Sequence, residues 1–334
     1  MIITRAPFRI SLGGGGTDLP SYYSKFGGSC VSAAIDKYVF LTVNQSFKPE
    51  MHLRYSETEH VLPGRYDQIK HPILREALKM TGIERPIEIT SMADILSGTG
   101  VGSSGSFTVA LLKALHTYKR NFISPQDLAE QACKINMGIL NSGSGKQDEY
   151  ASAFGGINYF QINKQGVVTV TPLAVEPDTL HDLEERILLF FTGFTRSSER
   201  LLKEQAQKTE EGNLDVVGNL HITRTLGESM KDSLETGDTL RFGALLDEHW
   251  QNKKARSQGI SSSAINELYD FAKSCGAVGG KIMGAGGGGF LMFYADKPGM
   301  LRKAMQKKGL QEVRFRFDFE GVKTVYSVEE YRIA

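Results

Sequence analysis

Residues 97–106 read SGTGVGSSGS, a run of glycine, serine and threonine broken only by Val101, and they lead straight into FTVALLKALHTYKR. Glycine loses more backbone freedom on ordering than any other residue. An ordered glycine cluster therefore serves a backbone conformation, or a close approach that side chains would block. The segment that follows places Phe107, Ala110, Leu111, Ala114, Leu115 and Tyr118 at the alternating spacing of one helical face. The junction is thus a glycine-rich loop opening a helix, which requires a fold where something approaches that helix end closely. Unpaired N–H groups and the positive end of the helix dipole make such an end an anion site, and phosphate suits it. Ser103, Ser104 and Ser106 add hydroxyls for a phosphate oxygen or a hard cation such as Mg2+. The residues alone leave a second reading open, in which one serine simply caps the helix.

Glycine is the compositional outlier: 36 of 334 residues, about 11% against a usual 7% or so. Runs at 13–16, 98–105 and 284–289 hold much of the excess. The last, GAGGGG, matches the dinucleotide pattern G-x-G-x-x-G, but that pattern has meaning only between a strand and a following helix. Here FLMFYA follows, which reads as strand. No Walker-type phosphate loop exists either, because neither Gly145-Lys146 nor Gly280-Lys281 is followed by Ser or Thr.

The length suits two domains, divided near the Pro-, Asp- and Glu-rich stretch 172–186 into 1–175 and 176–334. Apolar residues at 40% and charged residues at 23% are ordinary globular values. A net charge of +1 with no basic tract gives no footprint for nucleic acid, so a small molecule is the expected partner. No apolar run is long enough for a membrane helix, and MIITRAPFRISL lacks a signal peptide's apolar stretch, which together point to a cytoplasmic protein. Cys30, Cys133 and Cys275 are far apart and in no metal-type spacing, as free thiols would be.

The opening segment reads as β-rich, with CVSAAIDKYVFLTVNQSF suggesting a strand pair. A second helix starts at Ser124-Pro125 and runs to about Leu140. GGINYFQI, GVVTVTPL and ERILLFFTGF read as strands, 197–275 as helices broken at Gly212, Gly237 and Gly259, and the end as strand, helix, strand.

Three further features bear on chemistry. In APFRISLGGGGTD, Arg9 and Asp18 stand on either side of four glycines. In GSGKQDEYASAFGG, Asp148 follows a glycine-serine turn, where a carboxylate caps a short helix or acts as a base. GKIMGAGGGGF offers another backbone surface bare of side chains.

In this order the three motifs, Ala6–Asp18, Gly98–Ser106 and Lys281–Gly289, resemble the GHMP kinase superfamily of ATP-dependent small-molecule kinases. Within it, GGGGTDLPSYY, GKQDEYASAFGG, TGFTRSSE and HWQNKK are most similar to the D-glycero-D-manno-heptose 7-phosphate kinases, with the fucokinase kinase domain a near relative. The resemblance implies a two-domain α+β fold: an N-terminal domain like domain 2 of ribosomal protein S5, a C-terminal ferredoxin-like domain, and a cleft between them for ATP and sugar. It implies that Gly98, Gly100, Gly102, Ser103, Ser104, Gly105 and Ser106 wrap the ATP phosphates, with Ser104 as a Mg2+ ligand. Asp148 becomes the catalytic aspartate and Arg9 the basic residue facing it. Asp18, with Gly15, Gly16 and Thr17, falls to the sugar, as do Gly286 and Gly287 of the third motif. A sugar phosphate needs further cations, for which Arg196, Lys253, Lys254 and Arg256 are candidates, Arg196 first.

One position departs from the pattern. Where these kinases carry a Mg2+-binding glutamate in an Ile-Glu pair, this chain has Ile135-Asn136. Glu130, six residues earlier, lies about 240° around a regular helix and does not share the face. Weakened but usable metal binding is the expectation. Two alternatives stay open: a 1-kinase for an unphosphorylated sugar such as fucose, and a nucleotide- or sugar-binding protein that has lost turnover.

Overall fold

The computed structural model describes residues 1–195, 199–257 and 259–328. In chain order the first half comprises β1 (Ile2–Gly13), α1 (Pro20–Phe26), β2 (Gly28–Gln45), β3 (Met51–Arg54), β4 (Thr58–Val61), α2 (Pro72–Thr81), β5 (Ile87–Ala93), α3 (Ser103–Tyr118), α4 (Pro125–Cys133), α5 (Gln147–Phe154), β6 (Ile157–Ile162) and β7 (Val168–Pro172). The second half comprises α6 (Pro177–Arg186), β8 (Ile187–Phe191), α7 (Glu199–Glu210), α8 (Leu214–Glu235), α9 (Thr239–Arg256), α10 (Ser263–Ser274), β9 (Ala277–Ile282), β10 (Phe290–Ala295), α11 (Pro298–Lys307), β11 (Gln311–Val313) and β12 (Lys323–Ser327).

Two sheets organise these elements. The first runs β12-β1-β2-β5-β3-β4, with β6 on β2 and β7 on β6. The expected strand pair at 30–47 is instead one long strand: the first half of β2 pairs with β6 and its second half with β5, and its ladder to β1 shifts register between Pro7 and Phe8. The second sheet runs β11-β8-β10-β9. Numbered by their own sequence order these strands lie 4-1-3-2, with helices in both crossovers, which is the ferredoxin-like βαββαβ arrangement. β12 returns to pair with β1, so a division at 175/176 misassigns the last strand, which belongs to the first sheet.

The helix after the glycine run forms as expected but is buried on more than one face. Thr108, Val109 and Leu112 are buried along with Ala110, Leu111, Ala114 and Leu115, because α3 packs against β1 and β2 on one side and α4 and α5 on the other. The helix at Ser124-Pro125 is capped by the Ser124 hydroxyl, which accepts from the Asp127 N–H at 3.1 Å. Its last part, Lys134–Ile139, is wound as a π-helix, which breaks the regular periodicity used to place Glu130 against Asn136. Gly212-Asn213 and Gly237-Asp238 each end one helix and start another. The glycine takes a left-handed φ of 73° or 74°, and Asn213 or Asp238 caps the next helix, accepting from Val216 N–H at 3.1 Å or Arg241 N–H at 3.0 Å. Trp250, Tyr269, Phe190 and Phe293 fill a separate core between the second sheet and its helices.

Among the described residues no helix is long and apolar enough to cross a membrane. All three cysteines are free.

Candidate active site

A cleft of about 650 Å3 opens where the two sheets' loops meet. One wall carries Arg9, Gly15, Gly16, Asp18, Gly98, Gly100, Gly102, Ser103, Ser104 and Asp148; the other carries His249, Lys253, Arg256, Lys281, Gly284 and Gly286.

The N-terminus of α3 forms one end of this cleft. Its N-cap is Gly102, and no side chain caps it, so the reading of a serine as a simple cap does not hold. The first backbone bond of the turn runs from Ser106 N–H to Gly102 C=O at 3.0 Å, which leaves the N–H groups of Ser103, Ser104 and Gly105 ahead of the helical ladder. Ser104 is exposed to the cleft, and the Ser103 hydroxyl is buried without a partner. Ser106 is different: it is fully buried, and its hydroxyl donates to Pro7 C=O at 2.8 Å. That hydroxyl ties α3 to β1 and is a structural contact, not a phosphate ligand.

The glycines of this run answer to geometry. Gly102 has a φ of 81°, in the left-handed region that side chains disfavour. At Gly105 a Cβ would stand 2.8 Å from Asp148 Cβ. Gly105 does not line the cleft; it lets α3 approach α5 closely enough to bring Asp148 beside the helix end.

Asp148 lies in the first turn of α5. Its Oδ1 takes both Arg9 Nε at 2.7 Å and Arg9 Nη2 at 2.6 Å. Arg9 Nη1 donates to Gly100 C=O at 2.6 Å, and the Arg9 N–H to Val101 C=O at 3.0 Å. One arginine therefore locks the aspartate to the glycine loop, and Asp148 Oδ2 takes no hydrogen bond from the described residues.

Asp18 is buried and lines the same wall. It accepts from Gly16 N–H at 2.8 Å and Gln147 N–H at 3.1 Å, so it also ties the first glycine run to α5. Burial raises its pKa above the usual range, against those two hydrogen bonds. Gly15 and Gly16 face the cleft, but Thr17 does not: its hydroxyl is fully buried and donates to Gly14 C=O and Ser29 C=O. In the third run Gly286 lines the cleft, whereas the Gly287 N–H is spent on Ile260 C=O at 2.9 Å. Gly289 N–H bonds Phe194 C=O at 2.7 Å, and Phe290 N–H bonds Thr99 C=O at 3.1 Å. This run staples the second sheet to the glycine loop at 97–106 more than it offers a ligand surface.

Asn136 lies outside the cleft lining. Its amide donates to Glu149 Oε1 at 2.8 Å, and its oxygen accepts from Thr108 at 3.2 Å. Glu149 is buried with its second oxygen unpartnered. Burial, and then the neighbouring Asp148, push its pKa up to about 8. Glu130 is held by Lys146 at 2.6 Å. Arg196 lies outside the described residues.

The opposite wall carries buried basic side chains without acidic partners among the described residues. His249, Lys253 and Arg256 sit one turn apart on α9 and share a face. Arg256 is buried and donates only to neutral partners, Asn219, Gln205 and Thr223, at 2.8, 2.9 and 2.7 Å. Lys253 donates to Gly284 C=O at 2.6 Å and Ile282 C=O at 3.2 Å, and Lys281 to Leu12 C=O at 2.8 Å. None of the three makes an ion pair among the described residues. Burial, then Arg256 and Arg9, lower Lys253 to about 7; burial lowers Arg256 to about 10 and holds Lys281 well below its usual value. His249 is kept well below its usual pKa by burial and then Lys281, and neither ring nitrogen has a partner among the described residues. Lys254 points away, over the rings of Trp250 and Tyr269. Charge alone singles out 253, 254 and 256; the helical spacing of 249, 253 and 256 is the signal that adds His249 and removes Lys254.

The model of the GHMP kinases N terminal domain matches residues 69–156, and that of the GHMP kinases C terminal matches residues 230–309. The chain is 29% identical to the D-glycero-alpha-D-manno-heptose 7-phosphate kinase of Campylobacter jejuni, over 97% of this chain and 98% of that protein. It is 24% identical to the L-fucokinase/L-fucose-1-P guanylyltransferase of Bacteroides fragilis, over 88% of this chain and 34% of that one. A crystal structure described as a D-glycero-D-manno-heptose 1-phosphate kinase from Bacteroides thetaiotaomicron superposes with a TM-score of 0.81, covering 99% of this chain and all of the other; at 24% identity it speaks to the fold. The N- and C-terminal models, the full-length relative and the cleft between two sheets together make this chain a member of the GHMP kinases, a phosphotransferase of that family.

Proposed function

We propose that this kinase transfers the γ-phosphoryl group of ATP to the anomeric hydroxyl of a sugar phosphate, D-glycero-D-manno-heptose 7-phosphate, giving the 1,7-bisphosphate. The observation that carries the choice of a phosphorylated sugar is the wall of buried basic side chains without carboxylate partners among the described residues, Lys253, Arg256 and Lys281. Buried charges are ordinarily paired, and an unpaired set facing a cleft suits an anion that arrives with the substrate. The full-length similarity to a heptose 7-phosphate kinase points the same way.

The residues at the α3 terminus fit a triphosphate and its Mg2+: N–H groups precede the ladder, the Ser103 hydroxyl is buried without a partner, and Ser104 opens to the cleft. When bound, Mg2+ neutralises phosphate charge, and Ser104 with Ser103 would hold it. Phosphoryl transfer asks the protein mainly for positioning and charge stabilisation. Asp148 Oδ2 accepts the hydroxyl proton as the sugar oxygen forms its bond to phosphorus; the bond to the β-phosphate oxygen breaks, and ADP leaves with the electron pair. Arg9 holds the carboxylate in place through its two contacts to Oδ1. Asp18 accepts from sugar hydroxyls at the Gly15-Gly16 end, and His249 offers a neutral ring nitrogen opposite.

The test is ADP release across sugars and sugar phosphates, with and without Mg2+. Turnover with the heptose 7-phosphate that exceeds turnover with the free heptose supports the reading. Preference for an unphosphorylated sugar such as fucose replaces it with the fucokinase-like alternative, and ligand binding without ADP release replaces it with a binding protein.

A further inference from the structure

Outside the cleft, Glu50, His52 and His60 converge at the edge of the first sheet. His52 and His60 face each other across the β3–β4 pair with ring centroids 4.4 Å apart, and Glu50 stands two residues before His52 on the same face. Glu50 Oε1 lies 3.0 Å from His52 Nε2 and 3.3 Å from His60 Nδ1. One donor atom from each residue falls within 4.8 Å of the others. Zinc-type bonds of about 2.0–2.2 Å at tetrahedral angles set neighbouring donors about 3.3–3.6 Å apart. Closing on an ion therefore needs only small side-chain rotations.

A second observation is independent of this cluster. His52 is 4% exposed, and its other nitrogen, Nδ1, has no hydrogen-bond partner among the described residues. That nitrogen faces Glu88 Oε1 at 3.9 Å, from the neighbouring position on β5. A metal-bound histidine characteristically turns its second N–H to a carboxylate, which fixes the tautomer and frees the other nitrogen to ligate.

We propose that Glu50, His52 and His60 bind a divalent transition-metal ion of the Zn2+ class, with Glu88 orienting His52. Two imidazoles and one carboxylate suit such borderline metals, whereas Mg2+ and Ca2+ take oxygen ligands. β3 and β4 are four-residue strands at a sheet edge, and the turn between them carries Tyr55 and Ser56 into the cleft wall. The ion clips that edge. Without an ion the same contacts reduce to one carboxylate accepting from two imidazoles, and the experiment separates the two.

The test uses the full chain, stripped by a chelator and titrated with Co2+ in the absence of nucleotide, followed by Zn2+ displacement and calorimetry. One equivalent of Co2+ showing the strong visible bands of a tetrahedral site, displaced by Zn2+, is the expected result. Glu50→Gln and His60→Ala, both at accessible side chains, each weaken uptake more than tenfold, and Glu88→Gln weakens it about tenfold. Zn2+ raises the melting temperature of the native chain but not of His60→Ala, and kinase turnover is unchanged in all three variants. Absence of the tetrahedral bands, or equal uptake by His60→Ala, overturns the proposal.

Discussion

Arg9 grips a single oxygen of Asp148, through Nε at 2.7 Å and Nη2 at 2.6 Å, and leaves the other oxygen beside the end of α3 without a partner among the described residues. On the proposed function, the free oxygen is the one that takes the substrate proton. Asp148→Asn removes the proton acceptor while keeping the shape. It should lower kcat by about 10²–10⁴, the usual contribution of a positioned base, with nucleotide affinity little changed; single-turnover kinetics with a binding titration checks both.

Gly105 is the contact that seats α3 on α5. Gly105→Ala puts a methyl group 2.8 Å from Asp148 Cβ. Overpacking of this kind costs about 1–3 kcal/mol, so the variant should melt earlier and lose kcat more than KM, because Asp148 is displaced. Ser106→Ala, which removes only the bond to Pro7, should lose stability without that loss of kcat.

The buried Glu149 makes stability depend on pH. Its folded pKa, about 8, lies above its ordinary 4.5. Between these values the folded chain holds a proton that the unfolded chain releases, so this contribution is complete below about pH 4.5 and is lost as pH rises through about 8. Denaturant melts from pH 5 to 7, below the range in which Lys253 acts, should show the decline, and Glu149→Gln should flatten it.

Asn136→Glu sets a second carboxyl against Glu149 in a buried contact now closed at 2.8 Å. Forcing an uncompensated charge there should cost about 3–5 kcal/mol. Because Asn136 does not line the cleft, the Mg2+ dependence of turnover should not sharpen in this variant. A lowered Mg2+ requirement would show that position 136 reaches the metal after all.

Lys253 has the opposite sign. Its folded pKa, about 7, lies below its ordinary 10.5, so the unfolded chain binds the extra proton between these values and stability rises with pH across that window. An anion in the cleft restores the charge. Calorimetry at pH 8 in buffers of different ionisation enthalpy should show proton uptake when the sugar phosphate binds. Lys253→Met should abolish that uptake and raise KM for the phosphorylated sugar about tenfold or more, equal to ~1.4 kcal/mol, with KM for ATP changed far less.

The sequence by itself determined the glycine loop opening a helix, the cap at Ser124, the helix breaks at Gly212 and Gly237, and most of the strands. These are local properties: spacing of apolar residues, left-handed glycines and short polar caps act within a few positions. It also placed Arg9, Asp18, Asp148, Ser103 and Ser104 among the residues to watch, and all five line one cleft. Only the tertiary structure decided what each polar atom does there. The Ser106 hydroxyl meets a carbonyl 99 residues earlier in the chain, Thr17 closes onto Ser29, Gly287 spends its N–H on Ile260, and Asn136 bonds Glu149. A buried donor or acceptor must find a partner, and whether that partner is a distant main-chain oxygen or an incoming ligand depends on how the elements pack. For the same reason the unpaired state of Lys253, Arg256 and Lys281 appears only when both sheets are in place, since an unpaired charge is defined by everything around it that is not a carboxylate.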